Sequence, residues 1–212
     1  MAKQKRAAAE AAAAYVEPGM VVGLGTGTTV AFLLPALASR HLDIHCVATS
    51  PATQSVAREV GLRVQPFDGL DRLDMAIDGA DQVDPDGWLV KGGGGAHTRE
   101  KVVAAAAERF VVIVSSDKQV RRLVAPVPVE VLAFGLDATL RSVPGLRVRG
   151  VAPSPDGGVI ADYWGPVDDP EALADRLAAV PGVLSHGLFP PAMVAEILVG
   201  RPGGVDSLRP RT

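Results

Sequence analysis

Four side chains within residues 78–100 have types suited to stabilising negative charge on oxygen and to acid–base work around one pocket: Glu100, Lys91, Asp78 and Asp81. Glu100 lies in Thr98-Arg99-Glu100-Lys101, in the first turns of a predicted helix, so its carboxylate can point back at a pocket. By itself it is also an ordinary helix-start acid favoured by the dipole. Lys91 precedes four consecutive glycines, Gly92 to Gly95. Such a run costs much backbone entropy, and a folded protein rarely accepts it without needing close backbone approach. A desolvated ammonium beside it would stabilise a developing oxyanion.

Asp78-Gly79-Ala80-Asp81, with Asp84 beyond, follows a predicted strand. Ligands of open α/β sheets bind at that edge. The two carboxylates admit three readings: contacts to sugar hydroxyls, a metal site, or a solvated turn. The EF-hand pattern fails for want of its remaining ligands. Further upstream, Gly23-Leu24-Gly25-Thr26-Gly27-Thr28-Thr29 reads as an anion-binding loop ahead of a helix. Its glycines let N–H groups approach an anion and its threonines add hydroxyl donors. A tight turn needing glycine for shape alone is the plainer reading. The spacing G-x-G-x-G misses the dinucleotide fingerprint, and no Gly-Lys-Ser/Thr completes a Walker A loop. Lys118, just past a strand, and Lys5, in the first helix, are weaker candidates. His41, His45 and His186 lack metal-ligand spacing. His97 reads as a polar helix-start residue.

The elements that must position these groups alternate regularly. A helix over 3–16 stops at Glu17-Pro18-Gly19. Strands are expected at 20–24, 44–48, 62–64, 73–77 and 110–114. Helices are expected at 30–39, from Pro51 to before Gly61, and at 97–109. This rhythm predicts an α/β fold: an open, mostly parallel, Rossmann-like sheet with helices on both faces. After residue 125 the style changes. Residues 126–130 look extended and linker-like. Turn signals at Pro144-Gly145, Pro155-Asp156-Gly157-Gly158 and Pro181-Gly182 then separate short strands from helices near 133–143 and 169–179. The expected organisation is an α/β catalytic domain of 1–126 plus 197–212, and a small α+β lid or oligomerisation domain of 127–196. The tail from Ala195 reads as one more strand.

The whole chain bounds the partners. It has 212 residues, 48% hydrophobic and 21% charged, with a net charge of −3, an ordinary soluble composition. No basic footprint suggests nucleic acid, and no apolar stretch approaches the ~20 residues that span a bilayer. The single Cys46 cannot form an intrachain disulfide and reads as a small buried hydrophobe. Lys3, Lys5 and Arg6 before an alanine run faintly mimic a signal peptide, but Glu10 interrupts it. The expected location is the cytoplasm.

In this order, the Gly23–Thr29 loop, Thr49-Ser50-Pro51-Ala52-Thr53, Asp78–Asp81, Lys91–Gly95 with Thr98–Lys101, and the late Pro181-Gly182-Val183 and Gly187-Leu188-Phe189 resemble type A ribose-5-phosphate isomerase. The resemblance spans nearly the whole chain. It implies interconversion of D-ribose 5-phosphate and D-ribulose 5-phosphate through an enediolate, with neither metal nor organic cofactor. It implies Glu100 as the base between C2 and C1, Lys91 on the oxyanion, and Asp78 and Asp81 on sugar hydroxyls, ring opening and proton exchange. It implies substrate contacts from Thr26, Gly27, Thr28 and Thr29, from Gly79 and Ala80, and from Gly92, Gly93 and Gly94. Lys118 and Lys5 would add charge there. A homodimer or homotetramer is the expected assembly. Gln82, where the family often has glutamate, Thr28 for a common serine, and His97 at an often apolar position depart from the pattern. The main rival is a non-catalytic sugar-phosphate sensor of related fold, which has no need for Lys91 and Glu100 together. Amino-sugar phosphate deaminase, acyl-CoA transferase and NAD-dependent oxidoreductase fit less well.

Overall fold

The computed structural model describes residues 1–210; Arg211 and Thr212, the end of the expected 197–212 segment, lie outside the described residues. The first half alternates as the apolar runs require. Its elements are α1 (Ala2–Ala13), β1 (Val21–Leu24), α2 (Val30–Ala38), β2 (His45–Ala48), α3 (Pro51–Glu59), β3 (Arg63–Val64), β4 (Met75–Asp78), β5 (Gln82–Val83), β6 (Leu89–Val90), α4 (His97–Ala105) and β7 (Phe110–Ser115). The second half adds β8 (Val127–Val131), α5 (Leu136–Ser142), β9 (Leu146–Val148), β10 (Val159–Tyr163), α6 (Pro170–Ala178), β11 (Val183–His186), β12 (Leu188–Phe189), β13 (Glu196–Arg201) and β14 (Gly204–Leu208).

The main sheet runs β14-β13-β7-β4-β1-β2-β3, parallel throughout except for the antiparallel edge pair β13–β14. Chain order reverses between β1 and β4. That switch point leaves a crevice at the C-terminal ends of those two strands. One face carries α1, α2 and α3, whose Ala8, Ala9, Ala12, Ala13, Leu33, Leu37 and Ala57 pack on Val22, Leu24, Ile77 and Ile113. Small side chains let α1 approach closely: a Cβ on Gly200 of β13 would stand 1.9 Å from the Gln4 carbonyl oxygen. The opposite face carries α4, with Val103 and Ala104 on Ala76, Val112 and Phe189.

A second sheet, β11-β8-β10-β9, is antiparallel and drawn wholly from residues 127–186, with its own core of Val127, Val129, Val131, Tyr163, Leu173 and Leu177. A small third sheet, β12-β6-β5, ties Leu188 and Phe189 to Val90 and Leu89, next to Lys91.

Two expectations need correction. The linker-like stretch after Ala125 is β8, an interior strand with all five residues buried. Pro126 and Pro128 disguise it, because proline cannot donate to a ladder and argues against an interior strand. The tail is a hairpin of β13 and β14 rather than one strand, turning at Pro202-Gly203. Cys46 is buried as expected, and burial pushes its thiol up to about 12. Among the described residues no helix is long and apolar enough to cross a membrane.

Candidate active site

The cleft opens at the switch point. After β1 the chain turns over Asp78, the last residue of β4. Gly25 must be glycine here: a Cβ would lie 1.9 Å from the Asp78 carboxyl carbon. Gly27 adopts φ +113°, a backbone conformation side chains resist. Asp78 Oδ1 accepts from the N–H groups of Thr26 (3.0 Å) and Gly79 (2.7 Å). The Thr49–Thr53 segment braces the loop from the next βα connection. Thr26 and Thr49 hydroxyls are 2.8 Å apart, and the Thr53 hydroxyl donates to the Gly25 carbonyl at 2.9 Å. Ser50 caps α3 by accepting from Thr53 N–H, with Pro51 in the first turn.

Beneath this loop lie one cation and two carboxylates, each no more than 5% exposed. Lys91 Nζ donates to Asp78 Oδ2 at 2.8 Å and to the Gly79 carbonyl at 2.5 Å. Glu100 Oε2 lies 3.1 Å from the same Nζ, close enough for attraction, yet it accepts no hydrogen bond. Burial alone would push Lys91 down, but Asp78 and Glu100 hold it above the ordinary lysine value, so it stays charged. Both acids are raised, first by burial. One buried cation cannot fully offset two buried anions. Asp78 has two N–H groups and the ammonium on its oxygens. Glu100 has the ammonium alone, and burial, with repulsion from Asp78, brings it up to about 7. A glutamate poised there is a far better base at neutral pH than a free one at ~4.3.

The glycine run forms the facing wall. Gly92 (φ +104°) and Gly95 (φ +74°) close a turn with Gly95 N–H on the Gly92 carbonyl. Asp81 is exposed at the mouth, and its Oδ2 accepts from Gly93 N–H at 2.8 Å. The far end is open and cationic: Lys118 lines it, and Lys5 reaches from α1 to donate to the Thr28 hydroxyl at 2.6 Å.

The structure therefore gathers the candidates around one cleft. Thr26, Gly27, Thr28, Thr29, Gly79, Ala80, Asp81, Lys91, Gly92, Gly93, Gly94, Glu100 and Lys118 line it. Asp78 and Lys5 do not form its wall; each holds a residue that does. His97 differs from expectation. It is fully buried, neither ring nitrogen has a hydrogen-bond partner, and a Cβ on Gly92 would stand 2.7 Å from its Nδ1. Burial, with the cations of Lys101, Arg149 and Lys91, pushes it down to about 4, so it packs as a neutral ring. The residues around Glu100 also have work the motif did not announce. Thr98 donates to buried Glu130 of β8, Arg99 pairs with Asp156 at 2.7 Å, and Lys101 donates to the carbonyls of His186 (2.7 Å) and Leu188 (2.9 Å). Three residues of Thr98–Lys101 fasten α4 to the second half of the chain while the fourth, Glu100, faces the cleft. No spacing in the sequence marks these partners, which lie 32 to 87 residues away. Among the described residues no cluster of three or more His, Cys, Asp or Glu is arranged to hold a metal ion.

Residues 45–204 match the family model described as ribose 5-phosphate isomerase A (phosphoriboisomerase A). The chain belongs to this family. Relatives within it include ribose-5-phosphate isomerase A of Caulobacter sp. (strain K31), 44% identical over 98% of both chains, and that of Methanosarcina acetivorans, 42% identical over 95% of this chain and 92% of the relative. The crystal structure of ribose 5 phosphate isomerase A from Neisseria gonorrhoeae superposes with a TM-score of 0.93 at 32% identity, covering all of this chain and 98% of the other. A D-ribose-5-phosphate isomerase in complex with phospho-erythronic acid superposes at 0.91 with 33% identity and 97% coverage of each. Membership of ribose 5-phosphate isomerase A makes this chain an isomerase, and the α/β fold is the family's own.

Proposed function

We propose that the cleft interconverts D-ribose 5-phosphate and D-ribulose 5-phosphate through an enediolate, with Glu100 as the single base. The observation that carries this is the Glu100 carboxyl: buried, brought up to about 7, one oxygen without a hydrogen bond, and 3.1 Å from a charged lysine. In the open-chain aldose, Glu100 takes the C2 proton and negative charge moves onto O1. Lys91 stabilises that charge, and its own pairing with Asp78 keeps it protonated throughout. Glu100, whose captured proton exchanges with solvent during the life of the intermediate, then protonates C1, and collapse of the enediolate at O2 gives the ketose. Asp81, exposed at the mouth, carries the proton between O1 and O2 and assists ring opening. The phosphate lies against Thr26–Thr29, Lys118 and the Lys5–Thr28 pair. That a related isomerase binds phospho-erythronic acid, a phosphorylated sugar acid, supports an anionic sugar-phosphate ligand.

The unit spanning 127–196 serves as a lid that keeps bulk water from α4 and so sustains the raised Glu100. The non-catalytic sensor is not favoured, because a binding site has no use for an acid held near neutrality beside a buried ammonium. Incubation with ribose 5-phosphate in D₂O tests the proposal: ketose should form with deuterium entering at C1. Ketose formed without exchange at any turnover number, or no ketose at all, contradicts it.

A further inference from the structure

The four glycines beside Lys91 have no side chains with which to hold their own peptide planes, and free glycine peptides flip readily. The turn bond from Gly95 N–H to the Gly92 carbonyl leaves the Gly93 carbonyl unheld, and a side chain from the second half of the chain completes the ordering. Arg149, immediately after β9, lies against the loop with its side chain 19% exposed. Its Nη1 donates to the carbonyls of Gly92 (3.1 Å) and Gly93 (3.0 Å). Its other edge is gripped by Asp162 of β10, with Nε to Oδ2 at 2.8 Å and Nη2 to Oδ1 at 2.5 Å. That bidentate fork fixes the guanidinium in one orientation.

In a trans peptide the C=O and the following N–H lie in one plane and point in opposite directions. Holding the Gly92 carbonyl on the Arg149 side therefore turns the Gly93 N–H the other way, where it meets Asp81 Oδ2 at 2.8 Å. Holding the Gly93 carbonyl turns the Gly94 N–H the same way, away from Arg149. Gly94 lines the cleft, and among the described residues its N–H has no acceptor. A cation on the carbonyl side also polarises each plane and strengthens its N–H as a donor.

We propose that Arg149, held by Asp162, is a positioning residue that sets two peptide planes of the glycine loop, so that Gly93 N–H orients Asp81 and Gly94 N–H meets an oxygen of the bound sugar phosphate. The proposal rests on the reading of the cleft given above. It differs from a simple staple between two parts of the chain. The Arg99–Asp156 pair joins the same parts, with side chains 38% and 49% exposed, and touches no carbonyl of the loop.

The test is steady-state kinetics on ribose 5-phosphate for wild type, Arg149→Ala, Arg149→Lys, Asp162→Asn and Asp156→Ala, each with a thermal melt. Arg149→Ala should lose about 10- to 100-fold in kcat/KM, the scale of a misplaced site, at temperatures where it remains folded. Methylguanidinium at matched ionic strength should restore part of that loss in Arg149→Ala and change neither wild type nor Asp156→Ala. Arg149→Lys should stay impaired, because a shorter, point-like ammonium lacks the planar fork that grips Asp162 through one edge while its remaining nitrogen reaches the loop. If Arg149→Ala does not fold, the same kinetics on Arg149→Lys and Asp162→Asn decide. A kcat/KM within about twofold of wild type in the folded Arg149 variants, or a loss that methylguanidinium leaves untouched, overturns the proposal. An inactive wild type would instead overturn the reading of the cleft itself.

Discussion

The two ends of the cleft are built on opposite principles. At the inner end, Lys91, Asp78 and Glu100 are almost wholly enclosed, and the ammonium stands 2.8 Å from one carboxylate and 3.1 Å from the other. At the outer end, Lys5 and Lys118 stand near solvent beside exposed Gly27 and Thr28. Burial at the inner end disfavours charge on Glu100 and lets Asp78 repel it strongly, which is how a glutamate comes to be poised near neutrality. At the outer end, water and salt weaken each charge, so it attracts a phosphate while acting only weakly on its neighbours. The inner end thus governs the chemical step and the outer end the capture of substrate. Substitutions at the two ends should separate in kcat and KM.

Glu100→Gln gives the largest expected effect. It keeps the shape and removes the base, so kcat should fall by about 10²- to 10⁴-fold with KM little changed. Activity near wild type would break the comparison at its centre. Lys91→Met should lower kcat by about 10²- to 10³-fold, as expected for loss of an oxyanion donor. It also leaves two buried carboxylates without their cation, at a cost of about 3–5 kcal/mol in stability. Urea unfolding beside the kinetics would show both losses. Lys118→Ala should raise KM by about fivefold, since a partly exposed charge contributes roughly 1 kcal/mol. Its kcat should hold, and the defect should shrink as salt rises from 50 to about 500 mM. A Lys118 variant that loses kcat rather than KM would erase the distinction between the ends.

Much of the fold and the site could be read from residues close together in the chain. Continuous apolar strands such as Phe110–Ser115 and helices capped by Ser50-Pro51 carry their own periodicity and stop signals. The cleft was legible because β1, β4 and β6 each deliver a compact motif to one sheet edge. Features decided by distant contacts were not legible. The interior strand β8 has three valines in five residues, but the proline between Val127 and Val129 argues against a ladder. Two-residue strands such as β5, β6 and β12 are too short to show any period. His97 looks polar at a helix start, yet Gly92 and the chain folded over it remove it from water altogether. Asp78 and Asp81 look equivalent in sequence. Only the closure of the Gly25 turn separates them, burying Asp78 as the anchor of Lys91 and leaving Asp81 at the mouth. Arg149 gives no local signal because what it holds lies 56 and 57 residues earlier.

The central claim is that burial and the Asp78 charge make Glu100 a base poised near neutrality. Only its ionised form can take a proton, so kcat/KM must rise with pH as Glu100 loses its own proton and then level off. The pH dependence of kcat/KM for ribose 5-phosphate measures this in the free enzyme. The expected profile is a limb of unit slope bending at about 7. A profile already flat from about pH 5 upward, the behaviour of an ordinary glutamate at ~4.3, would contradict it.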